Sequence, residues 1–139
     1  MIVLDTNVIS EVMRPRPDQR VVDWLTQTTD ETCITTITIT EIFAGLHRLT
    51  PSRRKTELSA AISLALRPYL GSRAILPFDI DSAYACSLIL AERERAGLPI
   101  SFADAQIAGI CRSESADCAT RNTNDFAGTG VRLVNPWES

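Results

Sequence analysis

The sequence predicts an α/β domain of three layers, helices on both faces of a central parallel sheet of four to five strands. Short apolar runs of strand length alternate with longer amphipathic helical stretches, the pattern of a parallel sheet covered on both sides. The 139 residues, 45% hydrophobic and 22% charged, suit one domain with a real core and are too few for two ordinary ones. Acidic residues stand where core elements end, and in such sheets ligands bind beyond the carboxyl ends of the strands.

The elements follow in order. Met1–Leu4 is a short apolar run ending in Asp5, read as a buried strand. Asp18–Thr28 carries Val21, Val22, Trp24 and Leu25 at helical spacing. Thr32–Thr36 is β-branched and short, a second strand. Thr38 then reads as the N-cap of a helix carrying Ile42, Phe43 and Leu46. A further helix is expected after Pro51, with Leu58, Ala61, Ile62 and Ala65 on one face. Arg73–Leu76 is an extended segment. Ile80, Ala83, Tyr84, Ser87, Leu88 and Ala91 mark the apolar face of the next helix, which Gly97-Leu98-Pro99 stops. Ser101 opens another helix, running to about Arg112. Asp117–Thr120 and Val131–Val134 are the last strand candidates, separated by a Gly128-Thr129-Gly130 turn. The whole of 1–139 is expected to be one domain.

No apolar stretch approaches the ~20 residues needed to cross a bilayer. Strand-like Ile2-Val3-Leu4 begins at once, so no signal peptide is expected and the cytoplasm is the expected location. Cys33, Cys86, Cys111 and Cys118 lack CxxC spacing and lie in apolar segments, which predicts buried, reduced thiols. His47, the single histidine, is placed exposed, late in a helix; one histidine rules out a two-histidine zinc site. The net charge of −3 argues weakly against a generic polyanion binder. Local basic clusters at Arg14-Pro15-Arg16 with Arg20, at Arg53-Arg54-Lys55 and at Arg93 and Arg95 are read either as solvated surface or as local nucleic-acid contacts.

Asp5, Glu41 and Asp104 each have a structural explanation. Thr38-x-x-Glu41 matches a capping box, Ser101-x-x-Asp104 a shorter-armed version, and Asp5 stands before Thr6 and Asn7 as a cap. Their convergence at one sheet edge adds a second explanation. Two ionised carboxylates ~5 Å apart repel by about 3 kcal/mol at an effective dielectric near 20. A magnesium-type ion, which takes oxygen ligands and keeps several waters, is the simplest relief. Such an ion can orient a phosphodiester and acidify an attacking water.

The ordered set Met1-Ile2-Val3-Leu4-Asp5-Thr6-Asn7, Thr38-Ile39-Thr40-Glu41-Ile42-Phe43-Ala44-Gly45, Phe102-Ala103-Asp104-Ala105-Gln106-Ile107-Ala108, Ala119-Thr120-Arg121-Asn122-Thr123-Asn124-Asp125-Phe126 and Val134-Asn135-Pro136-Trp137 resembles PIN domains. More narrowly it resembles the FitB-like branch of the VapC toxin family. The resemblance spans nearly the whole chain and implies a PIN-like fold. It also implies a Mg²⁺- or Mn²⁺-dependent endoribonuclease, the toxin of a type II toxin–antitoxin pair. A homodimer is implied, with a VapB-like antitoxin as partner and RNA as substrate. The family roles fall on Asp5 and Asp104 as metal ligands and on Glu41 as third acid.

The fourth family position, often Asp, is Asn122, a neutral oxygen ligand. Asp125, three residues on, either compensates for it or caps the following turn. Thr6 and Asn7 either hydrogen-bond the acids or the metal's waters, or serve a plain turn. Arg14, Arg16 and Arg121 are candidates for RNA phosphate contacts. Two other functions compete: a catalytically weak PIN-fold binding partner, for which Asn122 is the support, and a Mg²⁺-dependent phosphoryl-transfer or receiver-like domain. Against the second, Asn7 stands where phosphoaspartyl hydrolases want an acid, and Lys55 is not after a late strand.

Overall fold

A computed structural model of the chain describes residues 1–138. Five strands, β1 (Ile2–Leu4), β2 (Thr32–Thr35), β3 (Ile75–Leu76), β4 (Asp117–Ala119) and β5 (Leu133–Val134), form one sheet in the order β3-β2-β1-β4-β5. Every pairing is parallel. The helices are α1 (Thr6–Val12), α2 (Gln19–Gln27), α3 (Thr36–His47), α4 (Arg53–Leu66), α5 (Ile80–Arg95), α6 (Phe102–Ser113) and α7 (Thr123–Phe126), followed by a 3₁₀ turn at Pro136–Glu138.

Side chains alternate across a strand, and β1 divides the core accordingly. Val3 faces Cys33 and Cys118 under α5 and α6, packed with Ile89, Ile107, Ile110 and Phe126. Ile2 and Leu4 face the opposite side with Ile34 and Ala119, under Val8, Ile9, Val21, Ile42, Ile62 and Trp137. Both faces of the sheet are therefore apolar, which accounts for the continuous apolar runs that predict it. Val3 and Leu4 are fully buried, each burial contributing roughly 1.5–3 kcal/mol. The four cysteines are free and buried, as expected. His47 is exposed in the last turn of α3, stacked on Phe43.

Two local expectations are corrected. Thr38 is not an N-cap. The cap of α3 is Thr35, whose Oγ1 accepts from the Thr38 N–H at 3.1 Å, so the Thr38–Glu41 capping box does not form. Strand β2 passes directly into the helix, and a threonine at its last residue caps it without an intervening loop. The second correction concerns α5. Its buried face is Ser82, Cys86, Ile89 and Arg93, whereas Ile80 is 83% and Tyr84 68% exposed. The buried polar residues are satisfied: Ser82 Oγ donates to Asp79 Oδ1 at 2.8 Å, and Arg93 donates to the carbonyls of Leu98, Asp125 and Ala127. Small residues on this face also admit α6 closely, because a Cβ on Gly109 would stand 2.6 Å from the Ser82 carbonyl oxygen.

Candidate active site

Parallel strands carry their carboxyl ends to one edge, and the sheet order makes β2, β1 and β4 neighbours there. The Asp5 N–H continues the ladder to the Ala119 carbonyl at 2.9 Å, and the Thr120 N–H to Val134 at 2.9 Å. Asp5 and Thr120 thus leave the sheet side by side. Asp5 is also the N-cap of α1, with Oδ1 accepting from the Thr6 N–H at 2.8 Å.

Thr120 is fully buried and donates its Oγ1 hydrogen to Asp5 Oδ2 at 2.8 Å. Its oxygen accepts from Asn7 Nδ2 at 3.2 Å and from the Asn122 N–H at 3.0 Å. Asn7 Oδ1 accepts in turn from the Arg121 N–H at 3.4 Å. The first turn of α1 therefore grips the segment after β4, so Asn7 does more than close a turn. Thr6 links the other side: its hydroxyl donates to Glu41 Oε1 at 2.7 Å and lies 2.9 Å from Thr38 Oγ1.

Asp104 stands in the first turn of α6. Ser101 caps that helix, its Oγ accepting from the Asp104 N–H at 3.2 Å. Burial pushes the Asp104 carboxyl above the usual carboxylate range, and the Asp125 and Glu41 charges push it the same way against Ser101 and Arg93. Asp125 thus adds its charge to the acidic group, from the first turn of α7. Asn122 is the N-cap residue of α7 and makes no side-chain capping bond.

Asp5 is 4% exposed. Its pKa is raised to about 6, chiefly by burial, with smaller contributions from Asp104 and Glu41 and opposition from the Thr120 and Thr6 hydrogen bonds. None of the five ion pairs among the described residues includes Asp5, Glu41, Asp104 or Asp125. Arg93, the buried cation among the described residues, spends its hydrogen bonds on backbone carbonyls. The acids form no ion pair among the described residues, Arg93 being the one cation that acts on Asp104; each Asp5 oxygen accepts a single hydrogen bond from the chain, and every donor atom is a hard oxygen. That set fits a divalent ion of the magnesium type. No three His, Cys, Asp or Glu side chains among the described residues form a group that could hold a metal ion, so an ion here would rest on one or two carboxylates and its own waters.

The arginines are dispersed. Arg14 pairs with Glu11 at 3.2 Å, and Arg16 is exposed in the loop after α1. Arg121 lies over the Trp137 ring, 5.3 Å from its centroid. Thr120 and Thr35 are structural supports that the sequence does not single out, and Arg93, expected at the solvated surface or on a phosphate, is instead buried and donates to backbone carbonyls. For Thr120 the usable signal is a hydroxyl placed immediately after an apolar strand, level with Asp5.

The family model described as PIN domain matches residues 2–131. Toxin FitB of Neisseria gonorrhoeae is 36% identical, with 99% of each chain covered, and VapC ribonuclease Y4jK of Sinorhizobium fredii is 35% identical at the same coverage. Plasmid stability protein StbB of Pseudomonas syringae pv. tomato is 38% identical over the full length of both chains. The crystal structure of FitAcB from Neisseria gonorrhoeae superimposes with a TM-score of 0.89 at 35% identity, with both chains fully covered. The five-stranded parallel sheet, the acids at its carboxyl edge and these relatives agree: the chain belongs to the PIN-domain family.

Proposed function

We propose that this chain is the ribonuclease toxin of a toxin–antitoxin pair, hydrolysing RNA phosphodiester bonds at the Asp5 site with Mg²⁺ or Mn²⁺. One observation carries the reading: Asp5 is buried, oriented through both oxygens and within reach of the Asp104 and Glu41 charges, with no ion pair to a cation of the protein. Asp5 and Asp104 would hold the ion, with Glu41 as third acid and Asn122 or Asp125 completing the rim. A divalent ion there supplies charge neutralisation for the phosphodiester and a more acidic water.

The chain's own groups do the rest. Thr120 and the Thr6 N–H fix the Asp5 carboxylate, and the Thr6 hydroxyl holds Glu41 beside it. Ser101 steadies Asp104. Asn7 ties α1 to the segment carrying Asn122.

The relatives' structures named as FitAB and VapBC complexes support an antitoxin as partner. A homodimer is supported by the apolar row Ile80, Tyr84 and Leu88 standing exposed on α5, with Phe102 also exposed at the start of α6. No helix among the described residues is long and apolar enough to cross a membrane.

The test is cleavage of RNA by purified protein with Mg²⁺ or Mn²⁺, set against the chelated enzyme and Asp5→Asn or Asp104→Asn. Cutting that survives both substitutions would end this assignment. A protein that neither cuts RNA nor takes up Mn²⁺ would be the scaffold instead.

A further inference from the structure

Thr120, Arg121 and Asn122 are consecutive. Thr120 donates to Asp5 Oδ2 at 2.8 Å, and Asn122 is the N-cap residue of α7. Arg121, between them, is held at two points. Its N–H donates to Asn7 Oδ1 at 3.4 Å, and its guanidinium lies over the Trp137 ring, 5.3 Å from the centroid. Trp137 is itself fixed: it is 4% exposed, and its backbone N–H donates to Asn135 Oδ1 at 3.0 Å.

Arg14, Arg16, Arg20 and Arg121 differ in what occupies them. Arg14 pairs with buried Glu11 at 3.2 Å. Arg20 donates to both oxygens of Asp18, at 3.1 and 2.8 Å. Asp18 feels the Arg121 charge only as a smaller pull beside that of Arg20, and Arg121 joins none of the ion pairs among the described residues. Arg16 is exposed, and its side chain has neither an ion pair nor a hydrogen bond among those residues. A ligand would have to order Arg16, at an entropic cost that a side chain already oriented avoids. Of the four, Arg121 alone is both uncommitted and oriented.

The occupant follows from chain continuity and rests on the proposed function for its substrate. A strand whose scissile phosphate reaches Asp5 runs beside the residue that follows Thr120. The other charges acting around Asp5 and Asp104 are chiefly those of Glu41 and Asp125, which repel a polyanion. Arg121 is the free positive charge in the segment that touches Asp5. A guanidinium with one face on an aromatic ring keeps its edge donors outward, and these match phosphate oxygens two at a time.

We infer that Arg121 is a substrate-contact residue: from its seat on Trp137 its guanidinium pairs with an RNA phosphate adjoining the scissile one. The contact contributes affinity without regard to base and fixes the path of the strand over the Thr120–Asn122 segment.

The experiment measures Mn²⁺-dependent cleavage of short single-stranded RNA oligonucleotides at several salt concentrations. Wild type, Arg121→Gln, Arg121→Lys and Arg16→Gln are compared, with Mn²⁺ binding by calorimetry for each. Arg121→Gln is expected to raise KM about tenfold at every cleavage position with kcat nearly kept, because uniform substrate binding is what it removes. The slope of log KM against log salt should fall by about 0.7, the loss of one phosphate contact to a single strand. Arg121→Lys should restore that slope and part of the KM, since it keeps the charge and loses the fork. Arg16→Gln should change KM far less, and Mn²⁺ binding should match wild type throughout. Unchanged KM and salt slope in Arg121→Gln, while wild type cuts, would overturn the contact and leave the nuclease assignment standing. So would a fall in kcat with the slope kept, which would make Arg121 a support of its neighbours. An equal KM rise in Arg16→Gln would reduce the effect to net charge and overturn it too. Unchanged RNA kinetics with lost binding of a protein partner would move Arg121 to a protein interface. A wild-type protein that cuts no RNA with either metal would sink the underlying assignment, and this contact with it.

Discussion

Thr120 Oγ1 and Asp5 Oδ2, 115 residues apart in the chain, are 2.8 Å apart across the sheet edge. The hydroxyl is shared: it donates to Asp5 while its oxygen accepts from Asn7 and the Asn122 amide. Thr120→Val keeps the shape and deletes this junction. A buried carboxylate and two donors then lose a partner, which costs roughly 1–3 kcal/mol. Urea denaturation should show that loss, RNA cleavage should fall about tenfold or more, and Thr120→Ser should recover most of both. A fully active valine variant would mean that Asp5 is held by the Thr6 amide alone.

The carboxylates were readable because each stands at a boundary that periodicity marks: Asp5 after a strand, Glu41 and Asp104 near helix starts. The hydroxyls that aim them are not, since Thr35 and Thr120 look like ordinary β-branched residues, and Thr38 like a cap, until the neighbouring strands are known. The buried face of α5 departs from the apolar periodicity for a related reason. Ile80, Tyr84 and Leu88 form the more apolar row, yet Ser82, Cys86 and Arg93 are buried because partners on other elements satisfy or admit them. Periodicity reports where apolar surface lies. It does not report which polar groups find partners 30 residues away.

The pKa of Asp5, raised to about 6 from 3.8, fixes a pH dependence with a definite sign. A carboxyl whose pKa is higher folded than unfolded stabilises the fold below the unfolded value, and that contribution is lost as pH rises through the folded one. Metal-free protein should therefore be more stable at pH 4.5 than at pH 8, by roughly 2 kcal/mol from Asp5, with Asp104 acting in the same direction. Thermal melts of chelated protein across this range measure it, and Asp5→Asn should remove most of the slope. Mn²⁺ needs the ionised carboxylate, so its affinity should rise as pH passes 6.

Arg93 is 7% exposed and donates to the carbonyls of Leu98, Asp125 and Ala127. It joins the end of α5 to the segment that carries Asp125 toward Asp104. Arg93→Met fills much of the volume but leaves those carbonyls without donors, at a cost of about 3 kcal/mol. Hydrogen exchange should quicken between residues 122 and 130 before the sheet responds. If instead the whole domain loosened together, Arg93 would be a general core residue and not a local tie.

Two helix glycines make opposite predictions from the same substitution. A Cβ at Gly109 would lie 2.6 Å from the Ser82 carbonyl oxygen and 2.9 Å from the Cys86 nitrogen, both backbone atoms that cannot step aside alone. Gly109→Ala must push α5 from α6, and overpacking of this kind costs roughly 1–3 kcal/mol. A Cβ at Gly45 meets nothing within 4 Å, so Gly45→Ala should gain about 0.5–1 kcal/mol from helix propensity. Chemical denaturation of the pair measures both signs in one experiment. Destabilisation at Gly45 would show that α3 needs its bare backbone for folding, against the open space around it.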